Sequence, residues 1–338
     1  SVAVDKTLAV DGTTGINTTG VIAAATQTYK GAVTLGAKAT LSGNATFNST
    51  VTSPTININT AGALTMSRAV SGTTLNFTTW GGGAASFGET VTATSVLNFT
   101  ANNNSATTFT GTVTAPTFNV INRGTSAVTA NGISATTAIN ITNDSTGAIN
   151  LNGPISGAGA LTIVNNSTSS GTVVKLAGNN TFTGATSVTG GTLQLDLATA
   201  NNNKLADAAS LTLNRAIVNI TGPASGGVQE VIGSLALSGG FNRITRSAGT
   251  GTMRVNQITR SAGAVLDMGA AGLADTDRLN TNGIMGGWAT INGTDWAINA
   301  TGAGDGLINA LATYTTQNTV TSWTTPSQNI LVNLTSGN

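Results

Sequence analysis

The chain has 338 residues, with thirteen Lys and Arg against twelve Asp and Glu, for a net charge of +1. So weak a field gathers neither nucleic-acid phosphates nor an anionic membrane surface, and nucleic acid is not expected as a partner. His and Cys are both absent, which excludes Cys/His zinc sites, Ser-His-Asp and Cys-His nucleophiles and disulfide frameworks, and leaves carboxylates and hydroxyls for any chemistry.

From the N-terminus, SVAVDKTLAV alternates like a strand at Val2, Val4, Leu8 and Val10. It carries no charged n-region followed by an apolar h-region, and its abrupt start fits a mature end left by removal of a leader. No apolar run further on approaches the roughly eighteen residues of a membrane span. Charged residues are only 7% and aromatics 4%, so a broad globular core is hard to fill. Disorder is not expected either, since disordered chains combine low hydrophobicity with high net charge, and this one is 39% hydrophobic and nearly neutral.

A repeat then begins. An apolar residue is followed by Thr or Ser, small or turn residues, and an apolar-Asn-apolar triplet: VTSPTININ, VSGTTLNF, VTATSVLNF, VTAPTFNVI and ISATTAINI. The leading residues Val33, Val51, Val70, Val91, Val113, Ile133 and Ile155 stand 18, 19, 21, 22, 20 and 22 residues apart. A second column, Tyr29, Phe47, Met66, Phe87 and Phe109, keeps the same period four residues ahead. Strict alternation, as at Ile56 and Ile58 or Leu97 and Phe99, makes the local element a strand with one buried face. A unit of about twenty residues cannot bury that face alone, but stacked copies can. The expected fold is all-β, a right-handed parallel β-helix (β-solenoid) with about 20 residues per turn, about seventeen turns if the whole chain follows the period, and a small irregular C-terminal cap. Regular coils cover 29–163, solenoid repeats extend over 1–282, and 283–338 forms terminal Trp-containing coils or a cap.

The column Asn57, Asn76, Asn98, Asn119 and Asn140 alternates with buried positions, so it should face outward and stack as an amide ladder along the axis. Its functional alternative is a flat ligand-binding face. Asn-x-Ser/Thr triplets at Asn44, Asn76, Asn98, Asn140 and Asn333 arise naturally in so Asn- and Thr-rich a chain and carry little glycosylation signal.

Beyond Ile155 the unit lengthens. The stretch Gly157 to Leu195 carries Leu161, Leu176, Gly178, Asn180, Thr181, Phe182, Gly184, Thr186, Val188, Gly190, Gly191, Thr192, Leu193 and Leu195, and it resembles the autotransporter-associated β-strand repeat (157–195). Thr26 to Val51 resembles coils of filamentous-haemagglutinin-like secreted proteins, and Gly283 to Tyr314 is similar to a segment that follows such repeats in long bacterial surface proteins. The resemblance implies a secreted or surface-bound bacterial β-solenoid, a passenger or stalk and not a catalyst. No alternating strands of a membrane β-barrel close the chain, which ends QNILVNLTSGN, so a passenger fragment, a processed product or a free subunit is expected.

The C-terminal third holds eleven of the twenty-five charged residues. Asp275 and Asp277, near Asp267, could bind calcium or serve as acid and base, but Asp is also a common turn residue, Arg278 is adjacent, and tandem G-G-x-G-x-D repeats are absent. Arg243, Arg246, Arg254 and Arg260 could line one face of neighbouring turns and meet an acidic polysaccharide. Polysaccharide lyases use such folds, yet fold does not transfer function. Trp80, Trp288, Trp296 and Trp323 offer either sugar stacking or, for the late three, capping. GDGLINALATY, with Asp305 as N-cap and Leu307, Ile308 and Leu311 on one face, reads as one short helix.

Both ends look strand-like, at Val2 and Val4 and at Ile330 and Val332, with no long capping helix. Unpaired strand edges of this kind favour head-to-tail stacking into a filament. The expected function is therefore a non-enzymatic structural protein of the bacterial cell surface, a homopolymer that stacks head-to-tail into an extracellular fibre or stalk. The alternatives are an adhesin passenger binding glycans and, behind it, a polysaccharide lyase or hydrolase. No cofactor or metal is expected, and a glycan or cell-envelope component is the candidate partner.

Overall fold

The structure, a computed structural model, describes residues 2–3, 7–17, 21–35, 39–102, 104–167, 172–199, 202–302, 304–317 and 330–332. Contacts divide the chain into two compact units: Ser1–Asp196 with Asn203–Ala209, and Leu197–Asn202 with Ser210–Asn338.

In the first unit the repeat becomes a parallel β-solenoid. One coil consists of a long bent strand, such as Val70–Thr79, and a three-residue strand, such as Ala85–Phe87. Later coils split the long strand in two, as at Val113–Thr114 and Thr117–Asn122. Each strand bonds in parallel to its copy one coil away. Val33 pairs with Val51, Val51 with Val70, Val70 with Val91, Val91 with Val113, Val113 with Ile133 and Ile133 with Ile155, and all seven are buried. The period arises because identical side chains at one ladder position pack over one another without changing the cross-section.

The aromatic column ends the long strands Val21–Tyr29 and Ala39–Phe47 and, further on, the three-residue strands Ala85–Phe87 and Thr107–Phe109. Tyr29 stacks on Phe47 at 4.9 Å between ring centroids, and Phe87 on Phe109 at 4.5 Å. Phe77 and Phe99 from the long strands meet Phe87 edge-on. A core one or two residues wide is thus filled by a few rings, and the column can pass to Ala130, Leu151, Leu176 and Leu195 where rings give out. Burial pushes the Tyr29 phenol above its ordinary pKa, and its hydroxyl donates to the Oε1 of buried Gln27 at 3.1 Å.

The corners are polar on the inside. Asn122, Asn143 and Asn165 continue the inward phase of their strands and stack in register. Buried among turns, their amides bond to turn carbonyls: the Asn122 Nδ2 donates to the Gly147 carbonyl at 3.1 Å, and that of Asn143 to the same carbonyl at 2.9 Å. They satisfy backbone groups that leave the ladder where the chain turns. At the tighter turns coils approach backbone to backbone, and Gly178 lies over Gly153 with no space for a Cβ.

Coils lengthen after Ile155, where Leu161 pairs with Thr186, 25 residues on. In the second unit Leu211 pairs with Leu235 and Leu235 with Ile258, again in parallel. Among the described residues there are about thirteen turns of about 21 residues, fewer than seventeen, because coils widen and the last segment leaves the parallel register. The reversal comes at Asn292 and Gly293, with φ of 51° and 68°. Two successive positive φ values produce the reversing twist of a hairpin, and Asp295–Asn299 folds back antiparallel on Ala289–Ile291.

The helix expected around 305–314 does not form. Gly306–Ala310 is a strand, antiparallel to Asp295–Asn299 and to Ala274–Thr276. Two partners offering ladder bonds outweigh a short local preference, and alternation decides the phase: Ile308 is buried while Leu307 is exposed. Among the described residues no helix is long and apolar enough to cross a membrane.

Candidate functional site: the outer face of the coils

The outward positions of Thr55–Thr60 and its copies form a wall of amides and hydroxyls. At its centre Asn57, Asn76, Asn98, Asn119 and Asn140 lie in strict register. Each Nδ2 donates to the Oδ1 of the preceding coil: Asn76 to Asn57, Asn98 to Asn76 and Asn119 to Asn98 at 2.7 Å, and Asn140 to Asn119 at 2.8 Å. Thr162 and Ser187 continue the column. An amide in the ladder spends one N–H and one lone pair, keeping a second of each for solvent or a ligand.

Trp80 stands where this wall meets the turn after Val70–Thr79. It is 52% exposed, and its Nε1 donates to the Asn59 Oδ1 at 3.3 Å. Asn57, Ile58, Asn59, Asn76, Thr78 and Trp80 line a groove of about 320 Å³. Nothing ionised lines it. Between residues 39 and 174 the only charged residues are Arg68, Glu89, Arg123 and Asp144, and they pair one coil apart: Arg68 with Glu89 at 2.7 Å and Arg123 with Asp144 at 3.4 Å. The Arg68 hydrogen bond holds the Glu89 carboxyl below its usual pKa. Lys30 and Asp11 repeat the arrangement at 2.8 Å, and the hydrogen bond to Asp11 raises the Lys30 pKa.

The C-terminal charges are engaged with one another. Arg254 sits among three carboxylates, contacting Asp275 at 3.4 Å, Asp277 at 2.7 Å and also Asp305. Asp275 accepts a further bond from the Gln229 Nε2 at 2.8 Å. Asp305 therefore serves Arg254 and caps no helix. Asp267 is buried apart from this group, accepting from Thr290 Oγ1 and the Gly293 N–H and pairing with Arg243 at 3.2 Å. It anchors the hairpin turn.

The four arginines do not form one stripe. Arg243 and Arg246 lie on Phe241–Ala248, and Arg254 and Arg260 on Thr252–Arg260, strands that pair with different neighbours. Arg246 donates to the Gly251 carbonyl and Arg260 to that of Ala264. The guanidiniums of Arg260 and Arg278 lie 5.7 and 5.5 Å from the centre of the Trp288 ring, a cation–π arrangement that occupies it. Trp296 is half-buried, its backbone N–H directed to the Tyr314 hydroxyl at 3.4 Å.

Asn180, one of the motif residues, is buried: its Oδ1 accepts from the Ile155 N–H and its Nδ2 donates to the Lys204 carbonyl. Lys204, unremarked in the sequence, is fully buried and donates to the carbonyls of Ala177 and Gly178. Its isolation in a polar loop gave no periodic signal. The inner Asn column did have one, since Phe118, Val120 and Asn122 share a phase. Val2 lies in a strand paired with Val21–Tyr29, and Ile330 and Val332 in a strand paired with Thr315–Gln317. Val4, Trp323 and Asn333 lie outside the described residues.

No family model matches the sequence, and no solved structure matches it. The chain is distantly similar to the adhesin BmaC autotransporter of Brucella suis biovar 1 (strain 1330), with 33% identity over 122 residues. The match covers 34% of this chain and 4% of that protein.

Proposed function

We propose that this chain is part of the passenger of an autotransporter-type adhesin, displayed outside a bacterial cell and acting by binding, without catalysis. The observation that supports this most is a parallel solenoid carrying neutral outward columns of Asn and Thr, in a chain similar over a third of its length to a protein named for adhesion. A solenoid of this kind holds side chains at fixed intervals and so presents an extended contact surface. The partner is a component of another surface, of the glycan class.

Head-to-tail assembly into a fibre is the second reading. It draws on strand-like segments toward both ends and has less support, since the similarity is to an adhesin. Two measurements test the pair. Beads coated with the purified chain are expected to be retained on epithelial monolayers above albumin-coated beads, and equal retention overturns the adhesin reading. Light scattering is expected to give a monomer near 33.4 kDa, whereas very large particles would replace it with the fibre.

A further inference from the structure

We propose that the Trp80 groove is a binding subsite for a linear, uncharged polysaccharide, one sugar ring of which packs on the indole. The inference rests on the adhesin reading and names the ligand class and place of contact.

Three observations converge there. Trp80 is a large ring left 52% exposed beside a groove of about 320 Å³. Its polar handle is already spent on Asn59 at 3.3 Å, so what the ring offers a ligand is its apolar surface, and the bond fixes the ring's attitude. An aromatic ring restrained in this way gives contact area at little cost in side-chain entropy.

The remaining lining is Asn57, Asn59, Asn76 and Thr78 with backbone at Ile58. Amides are bifunctional, and those of Asn57 and Asn76 are tied to each other at 2.7 Å, which orients the valences that remain. A ligand suited to this site has an apolar face for the indole and a rim of groups that both donate and accept. A pyranose ring has such a form, with C–H groups on its faces and hydroxyls around its edge.

Charge selects further. The groove holds no ionised group, and the nearest charges in sequence, Arg68 and Glu89, neutralise each other. An acidic sugar would leave its hydration without gaining a counter-charge, so the site favours a neutral chain. The coils repeat at about 4.8 Å, close to the length of one pyranose, and a linear chain running along the axis meets a new ladder row with each sugar.

The test is calorimetric titration of the full chain with three neutral hexaoses, cellohexaose, xylohexaose and N-acetyl-chitohexaose, at low and high salt. At least one is expected to bind, with little salt dependence. W80A should weaken it by about tenfold or more, and W80F, which retains a smaller ring, by less. Thermal melting of both variants verifies the fold, and an exposed site should leave the midpoint nearly unchanged. Absence of binding by all three hexaoses, or W80A binding as tightly as the original chain, overturns the proposal.

Bead retention separates it from the broader reading. Original and W80A beads that adhere equally, from chains that bind no hexaose, sink the Trp80 subsite and leave the adhesin standing. Trp80-dependent hexaose binding by a chain whose beads do not adhere preserves the subsite and removes the adhesin.

Discussion

At the scale of single residues, the outer and inner asparagines illustrate how one side chain does two jobs. Asn98 both donates to Asn76 and accepts from Asn119, at 2.7 Å each, while half-buried between them. N98A removes both bonds and is expected to cost about 1–2 kcal/mol in urea unfolding. N98T should cost less, since Thr162 occupies the same column further along and its hydroxyl can serve as donor and acceptor. No difference between N98A and the original chain would mean that water replaces the ladder without loss. The outward column was legible because Asn recurs at one phase of a strict alternation. The inner column follows the same phase, but buried Asn is rare in a strand interior and becomes reasonable only with the carbonyls of the adjoining turn in place. The acidic pair at Asp275 and Asp277 shows the converse. Two carboxylates on neighbouring alternate positions read as a site, and three-dimensional pairing makes them the counter-charge of Arg254, which lies one coil back, 21 positions away, in register with Asp275. The interval matches the period, but the Asn and Val columns that reveal the period do not reach this part of the chain.

For the individual coil, the close approach of successive turns carries the strongest constraint. A Cβ on Gly178 would run into the carbonyl oxygen and carbonyl carbon of Gly153, which are backbone atoms and cannot rotate aside. G178A is therefore expected to destabilise by more than the loss expected from helix or strand propensity, on the order of 2 kcal/mol or above, and to raise amide exchange first in the strands Val173–Leu176 and Ile149–Leu151, which pair at that coil. A variant with unchanged exchange there would show that the coils can separate without penalty. This coil geometry was implicit in the period: a fixed spacing with strand alternation admits few solutions other than stacking. What the period could not supply was the exit from the stack. Asn292-Gly293 is a known reversal signal, but it counts only once flanking strands are recognised, and Ala289–Ile291 is three residues long. The same shortage misdirected the reading of 305–314, where apolar residues three and four apart fit a helix and also fit a strand whose partners lie in other parts of the sequence.

Across the whole molecule the informative quantity is how little charge there is to disturb. Thirteen cationic and twelve anionic side chains are spread over 338 residues, and three ion pairs of the first unit, Lys30 with Asp11, Arg68 with Glu89 and Arg123 with Asp144, are solvent-facing. Exposed pairs contribute about 0–1 kcal/mol each, and salt at about 1 M shortens the screening length to roughly 3 Å. Stability rests instead on buried apolar columns and on a backbone ladder, both insensitive to ionic strength in this range. The melting midpoint is accordingly expected to move by only a few degrees between 20 mM and 1 M NaCl, a shift of about 1 kcal/mol or less. The less screened cluster of Arg254 with Asp275, Asp277 and Asp305 in the second unit supplies an internal contrast, since Arg254 is only 16% exposed at its side chain. R254M would leave three carboxylates facing one another and should introduce a salt dependence that the original chain lacks, with added salt restoring part of the loss. A large fall in midpoint for the original chain in about 1 M NaCl would instead place its stability in electrostatics, against the small number and exposure of its ion pairs.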